Sequence, residues 1–295
     1  MSIPQRNVAF LLMLLTLCAC FDAEAQRKRR KTRARSVASD GFSDSQWWLG
    51  FKVGANVTQA NLMEEYQMFV PNTTGIPDNY KKDYESFERP GIQAGFILSY
   101  DFKSIFSVSL QPTYINMNLG YANEYAWVGD GNNLAVEYEH RVTLNYLEFP
   151  LLLRADFTYS RVRPFVQLGA FYGTLLKADK FREVTSFDNA SNAANPISND
   201  APVIGAKSLF INSNWGVMGG GGITYDFGNV RLGLEAMYKH GFNNVVDRRN
   251  RYSDNRMIGI GDALDDFSLQ NIEVSFTCVF PMKFLRTGYY RSIRP

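Results

Sequence analysis

Residues 230–241 read "VRLGLEAMYKHG". Arg231, Glu235 and Lys239 fall four apart, the spacing of salt-bridged side chains on one face of a helix. The same stretch also alternates, with Val230, Leu232, Leu234, Ala236 and Tyr238 apolar or small and the residues between them not. On a helix, Leu232 and Leu234 would point about 200° apart, and Gly233 would weaken the middle. As a strand, the apolar set shares one face and the three charges share the other. The strand reading accounts for every position, and it sets the reading of the rest of the chain.

Seven further segments alternate in the same way, at 46–58, 91–102, 105–117, 139–157, 163–177, 211–227 and 268–280. Strict alternation over such lengths argues strand. These segments run ~10 residues or more, which is what a strand needs to cross a bilayer at a barrel tilt. Strands of soluble proteins are nearer ~5–6. The mean hydropathy of −0.22 resembles a soluble protein, but a membrane barrel alternates lipid-facing and lumen-facing residues and averages out. Connections after the second, fourth and sixth strands are short. Those after the first, third, fifth and seventh are long and polar, at about 59–90, 118–138, 178–210 and 244–267. This layout predicts an all-β fold, an eight-stranded antiparallel up-and-down transmembrane β-barrel with four long extracellular loops. An even strand number puts both termini on the short-turn, periplasmic side.

Aromatic residues gather at both strand ends, as membrane-interface girdles require. Trp47, Trp48, Phe102, Phe106, Phe157, Phe165, Tyr225 and Phe227 lie near the short turns. Tyr114, Tyr146, Tyr172, Trp215 and Tyr238 lie near the long loops. The fourth strand breaks phase: Val142, Leu144 and Tyr146 are apolar at even positions, whereas Leu147, Phe149, Leu151 and Leu153 continue at odd ones. A β-bulge near Tyr146–Leu147 would restore one lipid face. Pro150, on the inward set, cannot donate to the ladder.

The chain begins with Arg6, an apolar run over 8–20 and "AEA" at 23–25, the pattern of a secretory signal peptide. Residues 1–25 are read as that signal, 26–45 as a basic periplasmic tail, 46–282 as the barrel and 283–295 as a periplasmic tail. "LCAC", ending at Cys20, leaves lipidation of Cys20 open as the alternative to cleavage after Ala25. After that cleavage only Cys278 remains, so no internal disulfide forms. Seven basic residues crowd into 27–35; without them and the signal, 23 basic and 27 acidic side chains remain. The basic character is therefore local, and behind a signal peptide it does not indicate nucleic acid.

The inward face carries acids and bases together. The candidate lumen network is Lys52, Glu148, Arg154, Arg231, Glu235, Lys239 and Glu273. An eight-stranded barrel is just wide enough for side chains to fill it, and buried charges need partners. The expected interior is a cross-linked plug rather than a wide pore. Glu148, Arg154 and Glu273 are the expected partners of the Arg231–Glu235–Lys239 column.

No catalytic, cofactor-binding or metal-ligating residue is expected. The histidines, His140 and His240, both lie near the long-loop end, and no G-x-S-x-G motif is present. Two His and one Cys far apart have no metal-ligand spacing. The glycine run at 219–222 lacks the following Lys of a phosphate loop. Aromatics in the long loops, including Tyr66, Tyr84, Tyr121, Tyr125, Trp127 and Phe187, suit either partner recognition or mutual packing as a cap.

"FSVSLQPTYINMNLG" (106–120), "YLEFPLLLRADF" (146–157), "RPFVQLGAFYGTLL" (163–176), "WGVMGGGGITYDFG" (215–228) and "LGLEAMYKHGFNNV" (232–245) together resemble the outer-membrane β-barrel domain of Bacteroidetes, the PorT-like or porin-family proteins. The resemblance spans roughly 46–282. It implies an eight-stranded barrel in the outer membrane and no single activity, its namesake members serving type IX protein secretion. The expected function is a non-enzymatic, monomeric, lipid-embedded barrel with a structural or interaction role, acting through its long loops or as an accessory subunit of an envelope complex. A small channel, a secretion factor and a lipid-modifying enzyme using His140 or His240 are the alternatives.

Overall fold

The computed structural model describes residues 46–67, 81–103, 105–129, 132–158, 160–188, 195–200, 204–227, 230–251 and 262–282. The signal segment, the tails 26–45 and 283–295, Cys20, and the side chains of Trp127 and Phe187 lie outside the described residues.

Eight antiparallel strands close into a ring. They are β1 (Gln46–Glu64), β2 (Ser86–Lys103), β3 (Phe106–Leu110 continued by Thr113–Gly129), β4 (Asn132–Glu148 continued by Leu151–Asp156), β5 (Val162–Asp188), β6 (Ser213–Phe227), β7 (Val230–Gly241) and β8 (Asp266–Pro281). Each pairs with the next, and β1 closes on β8 from Trp48↔Pro281 to Glu64↔Asp266. Closure matters because lipid offers no hydrogen bonds to an open sheet edge. The opening stretch is β7, a strand throughout, with Leu234 and Tyr238 outward and Arg231, Glu235 and Lys239 buried in the lumen.

Two interruptions sit opposite each other. Pro112 in β3 and Pro150 in β4 lack N–H groups, so the ladder breaks between Leu110↔Leu151 and Thr113↔Glu148. The backbone groups left over find other partners: Gln111 N donates to Pro150 O (3.0 Å), Phe149 N to Tyr172 O (2.8 Å) and Phe96 N to Pro112 O (2.9 Å).

The phase change expected in β4 is located elsewhere. Val142, Leu144 and Tyr146 are buried inside, on the same even-numbered face as Glu148 and Leu152. The register slip is between Asn145↔Lys177 and Tyr146↔Leu175, so the extra residue belongs to β5. There the buried set passes from odd positions, ending at Leu175, to even ones, starting at Ala178. The physical reason is a change of solvent along the strand. Below Tyr114 the outer face meets lipid, and Phe106, Leu110, Leu151, Leu153, Leu168 and Leu234 are exposed on it. Above Tyr114, Asn116 and Asn118 on β3, Glu139 and Arg141 on β4 and Lys177 on β5 point outward instead. The inner face inverts with it, from Ser107, Gln111 and Thr113 to Ile115, Met117, Leu119 and Leu144. The barrel is thus a membrane barrel at the short-turn end and a water-soluble, apolar-cored barrel at the long-loop end. Tyr114, Tyr172, Trp215 and Tyr238 ring the outside at the changeover, while Tyr146 is fully buried and does not belong to that girdle. Trp48 and Phe165 likewise turn into the lumen at the other end.

Two of the long connections are themselves β structure. Strands β3 and β4 remain paired as far as Gly129↔Asn132, and β5 is flanked by a strand at Asn195–Asp200. The other connections fold over the mouth. Leu209, Phe210, Val245, Val246 and Leu264 join Ile115, Leu119, Leu144 and Tyr146 in one apolar cluster. Phe210 bridges Val246, and Val245 N donates to Phe267 O (3.0 Å).

The solvent changeover predicts unequal effects of one substitution at two levels. Leu234→Arg, on the lipid face, should destabilise the barrel by about 2–4 kcal/mol, the cost of a charge near the bilayer midplane. Asn118→Arg, outward but above the girdle, should be near neutral. Heat-modifiable gel migration of the two variants against urea measures the difference, and equal effects would contradict the boundary.

Candidate functional site

The lumen is built in layers. At mid-height Lys239 from β7 forms ion pairs with both Glu148 of β4 and Glu273 of β8, and all three side chains are at most 2% exposed. Gly173 on β5 makes the room: a Cβ there would lie 3.1 Å from Glu148 Cγ. Gln93, with its amide nitrogen toward Glu273, donates to that carboxylate (3.1 Å) and accepts from Ser275 Oγ (2.7 Å). Lys52, on β1 and equally buried, acts on Glu148 through space. Such a charge is tolerated in low dielectric only with its partners in place.

Towards the short turns, Arg231 and Arg154 lie over aromatic faces, Arg231 4.2 Å from Trp48 and Arg154 3.7 Å from Phe165. This is the work of the two aromatics that face inward. Arg231 Nε donates to Asp226 (2.8 Å), and its guanidinium stands 3.7 Å from Asp101. Arg154 donates to Asp156 (2.7 Å) and to Thr224 Oγ1 (3.0 Å). Glu235 accepts from Gln167 Nε2 (2.9 Å). The structure therefore brings Lys239, Glu148 and Glu273 into direct contact. It does not bring Arg231 or Glu235 to Arg154, Glu148 or Glu273 as ion pairs; Arg231 takes Asp226 and Asp101 instead.

Above the apolar cluster lies a second buried ionic group that sequence reading missed. Lys82, from the first long connection, is 2.9 Å from Asp265 and 3.6 Å from Asp262, and Lys180 of β5 is ion-paired with Asp262. Tyr84 Oη donates to Asp265 (2.8 Å) and Tyr121 Oη to Asp262 (2.6 Å). Asp266 takes Arg251 (2.8 Å) and Arg248 (2.9 Å). Two lysines and two aspartates, all almost wholly buried, balance in charge and tie two long connections to the wall. The signal available in the sequence was "DALDD" (262–266) directly before β8, but acids in a polar loop ordinarily face water. Burial also decides between recognition and packing for Tyr84, Tyr121 and Tyr125. Tyr84 stacks on Tyr121 at 5.0 Å, and Tyr125 is 2% exposed.

The two histidines sit in different surroundings. His140 is fully buried, stacked on Tyr121 at 4.6 Å and bonded through Nε2 to Asn123 Oδ1 (3.1 Å). Burial pushes its pKa down to about 3, with Lys180, Lys82 and Arg182 acting in the same sense and Asp262 against them. His240 meets Gln270 at 3.3 Å and the edge of Phe242. Among the described residues no group of three His, Cys, Asp or Glu side chains could hold a metal ion.

The layered lumen inside a closed wall fits the family comparison. The model of the outer membrane protein beta-barrel domain matches residues 25–247. The chain belongs to this family. That membership puts it in the outer membrane, where the family takes its name. Solved structures similar to it include Neisserial surface protein A (11% identity, 80% of this chain and 97% of that one, TM-score 0.32). They also include the attachment invasion locus protein Ail of Yersinia pestis (12% identity, 80% and 99% coverage, TM-score 0.27). OprG of Pseudomonas aeruginosa is a third (13% identity, 77% and 95% coverage, TM-score 0.32). No curated protein matches the chain.

Two outcomes follow from the buried groups. Lys239→Met strands two buried carboxylates and should cost about 3–5 kcal/mol, while adding Glu148→Gln and Glu273→Gln should recover most of it. Urea titration of the single and the triple variant checks this. The second concerns pH. A closed cap keeps His140 neutral to about pH 3, whereas the opened form protonates near 6.5. Below 6.5 the opened form binds the extra proton, so the cap loses about 1.4 kcal/mol per pH unit of acidification. Asp262 is held well below the usual carboxylate range, burial being outweighed by Lys180, His140 and Lys82. Its contribution therefore stays intact above about pH 4. Hydrogen exchange at 83–84, 121–123 and 262–266, corrected for intrinsic rates, should accelerate from pH 7 to pH 5. His140→Phe, which keeps the ring stack, should flatten the response.

Proposed function

We propose that the protein is a non-conducting, non-enzymatic outer-membrane barrel whose long-loop end is a rigid extracellular platform for interaction. In this reading both termini are periplasmic, the monomeric barrel meets lipid directly, and it serves as an accessory subunit of a larger envelope complex. The observation that carries the reading is the double seal of the lumen: the Lys239–Glu148–Glu273 layer at mid-height and the apolar cluster above it, capped by Lys82, Lys180, Asp262 and Asp265. A filled lumen is poor for conduction, and a cap pinned by buried ion pairs is costly to deform. A surface so held binds without first having to be ordered. The burial of His140 supports the non-enzymatic part. The resemblance of five segments to the PorT-like proteins of Bacteroidetes supports the accessory role. Outside the cap, Arg89 joins Glu85 and Glu139 (2.8 Å to the latter), and Arg141 joins Glu139 (3.0 Å), a stiff charged flank open to a partner.

Planar-bilayer recording should give no discrete conductance, and affinity purification in gentle detergent should recover a stable envelope complex. Secretion-apparatus components in that complex would assign the type IX role. Regular unitary steps in the bilayer whose conductance changes in lumen variants that preserve the fold would overturn the sealed-lumen reading.

A further inference from the structure

Six acids among the described residues are buried below one-tenth exposure: Glu148, Glu235, Asp262, Asp265, Asp266 and Glu273. Five of them have a lysine or arginine nitrogen within ion-pair distance. Glu235 does not. Its Oε2 accepts from the neutral amide of Gln167, and its Oε1 is buried without a hydrogen-bond partner. An uncompensated carboxylate in low dielectric is strongly disfavoured.

The charge balance of the membrane-level lumen points the same way. Its cations are Lys52, Arg154, Arg163, Arg231 and Lys239. Its anions are Asp101, Glu148, Asp156, Asp226, Glu235 and Glu273. Among the described side chains, the lumen is one positive charge short. Glu235 also borders a cavity of about 30 Å³ on the short-turn side, which Gln111, Ser107, Ser109, Thr224 and Thr277 share. Gln111 is 3% exposed; its amide nitrogen is used by Ser109 Oγ (3.1 Å), and its Oε1 is a second buried acceptor without a partner. The two residues that carry these orphan acceptors, one of them charged, thus line one small space together with hydroxyl side chains, Arg154 and Arg231. The volume suits roughly one or two water-sized species.

We infer that Glu235 Oε1 and Gln111 Oε1 form a site for one small monovalent cation of sodium size, completed by hydroxyl oxygens and water. A hard cation takes oxygen ligands of this kind. A divalent ion would need more carboxylates than the single one present, and would overshoot the missing charge. Arg154 and Arg231, lining the same cavity, are already paired with Asp156 and with Asp226 and Asp101. The site is structural: it neutralises the lower lumen, and it holds whether or not the barrel conducts or has a partner.

The test uses the full-length barrel in detergent, unfolded thermally in sodium, potassium or choline chloride at equal ionic strength. The midpoint should rise saturably in sodium relative to choline. Glu235→Gln should remove the cation dependence, and because that variant is neutral it should fold in choline. Gln111→Met, which keeps the charge but loses one ligand, should weaken half-saturation about tenfold. Equal midpoints in all three salts overturn the inference, as does cation dependence that survives in Glu235→Gln. A protonated-carboxyl infrared band lost in Glu235→Gln also overturns it, because a proton would then supply the missing charge.

Discussion

In a bilayer the backbone has no solvent to bond with, so the wall must close on itself before any side chain can contribute. The pairing of Gln46–Glu64 with Asp266–Pro281 makes that closure, joining the two ends of a chain more than two hundred residues apart. Everything else depends on it. Once eight strands close, the lumen is narrow, and each inward side chain is forced against those of other strands. Lys239, Glu148 and Glu273 come from three different strands and could not meet without the closed ring. Even the prolines obey the constraint. Pro112 and Pro150 face each other across one gap, so the missing donors coincide and the neighbouring carbonyls find partners elsewhere.

The wall then passes through two solvents, and the interior answers each in turn. Where the outside is lipid, the inside takes the polar groups. Where the outside is water, the inside becomes an ordinary apolar core and the charges move out. The aromatic ring of Tyr114, Tyr172, Trp215 and Tyr238 marks the exchange. The long-loop end therefore has a core of its own, into which Leu209, Phe210, Val245 and Leu264 pack from the connections. The buried ionic group of Lys82, Lys180, Asp262 and Asp265 then fixes which connections lie together over that core.

The strand pattern of β7 was legible because a period of two is a local property and lipid enforces it strictly. The same logic misled at Tyr146. An apolar residue near a long loop reads as a girdle residue when the outside is taken to be lipid throughout, yet Tyr146 faces inward above the changeover. The register slip was placed in β4 for the same reason, whereas β5 carries it at Leu176–Lys177. The cap was illegible in a different way. Nothing local distinguishes Asp262 and Asp265, which bury against Lys82 and Lys180, from solvated loop acids such as Asp247.

The sequence by itself determined the period, the inward and outward sets of β7, the number of crossings and the asymmetry of the connections, because each is set by neighbours one or two residues apart and by the surrounding solvent. Only the tertiary structure decided which charges meet. Arg231, Glu235 and Lys239 form a column in the sequence, but their partners are chosen by strand order and register. Lys239 finds two acids, Arg231 finds Asp226 and Asp101, and Glu235 finds a neutral amide and a cavity. Pairing across a closed barrel depends on the stagger of strands distant in sequence, and no local pattern encodes it.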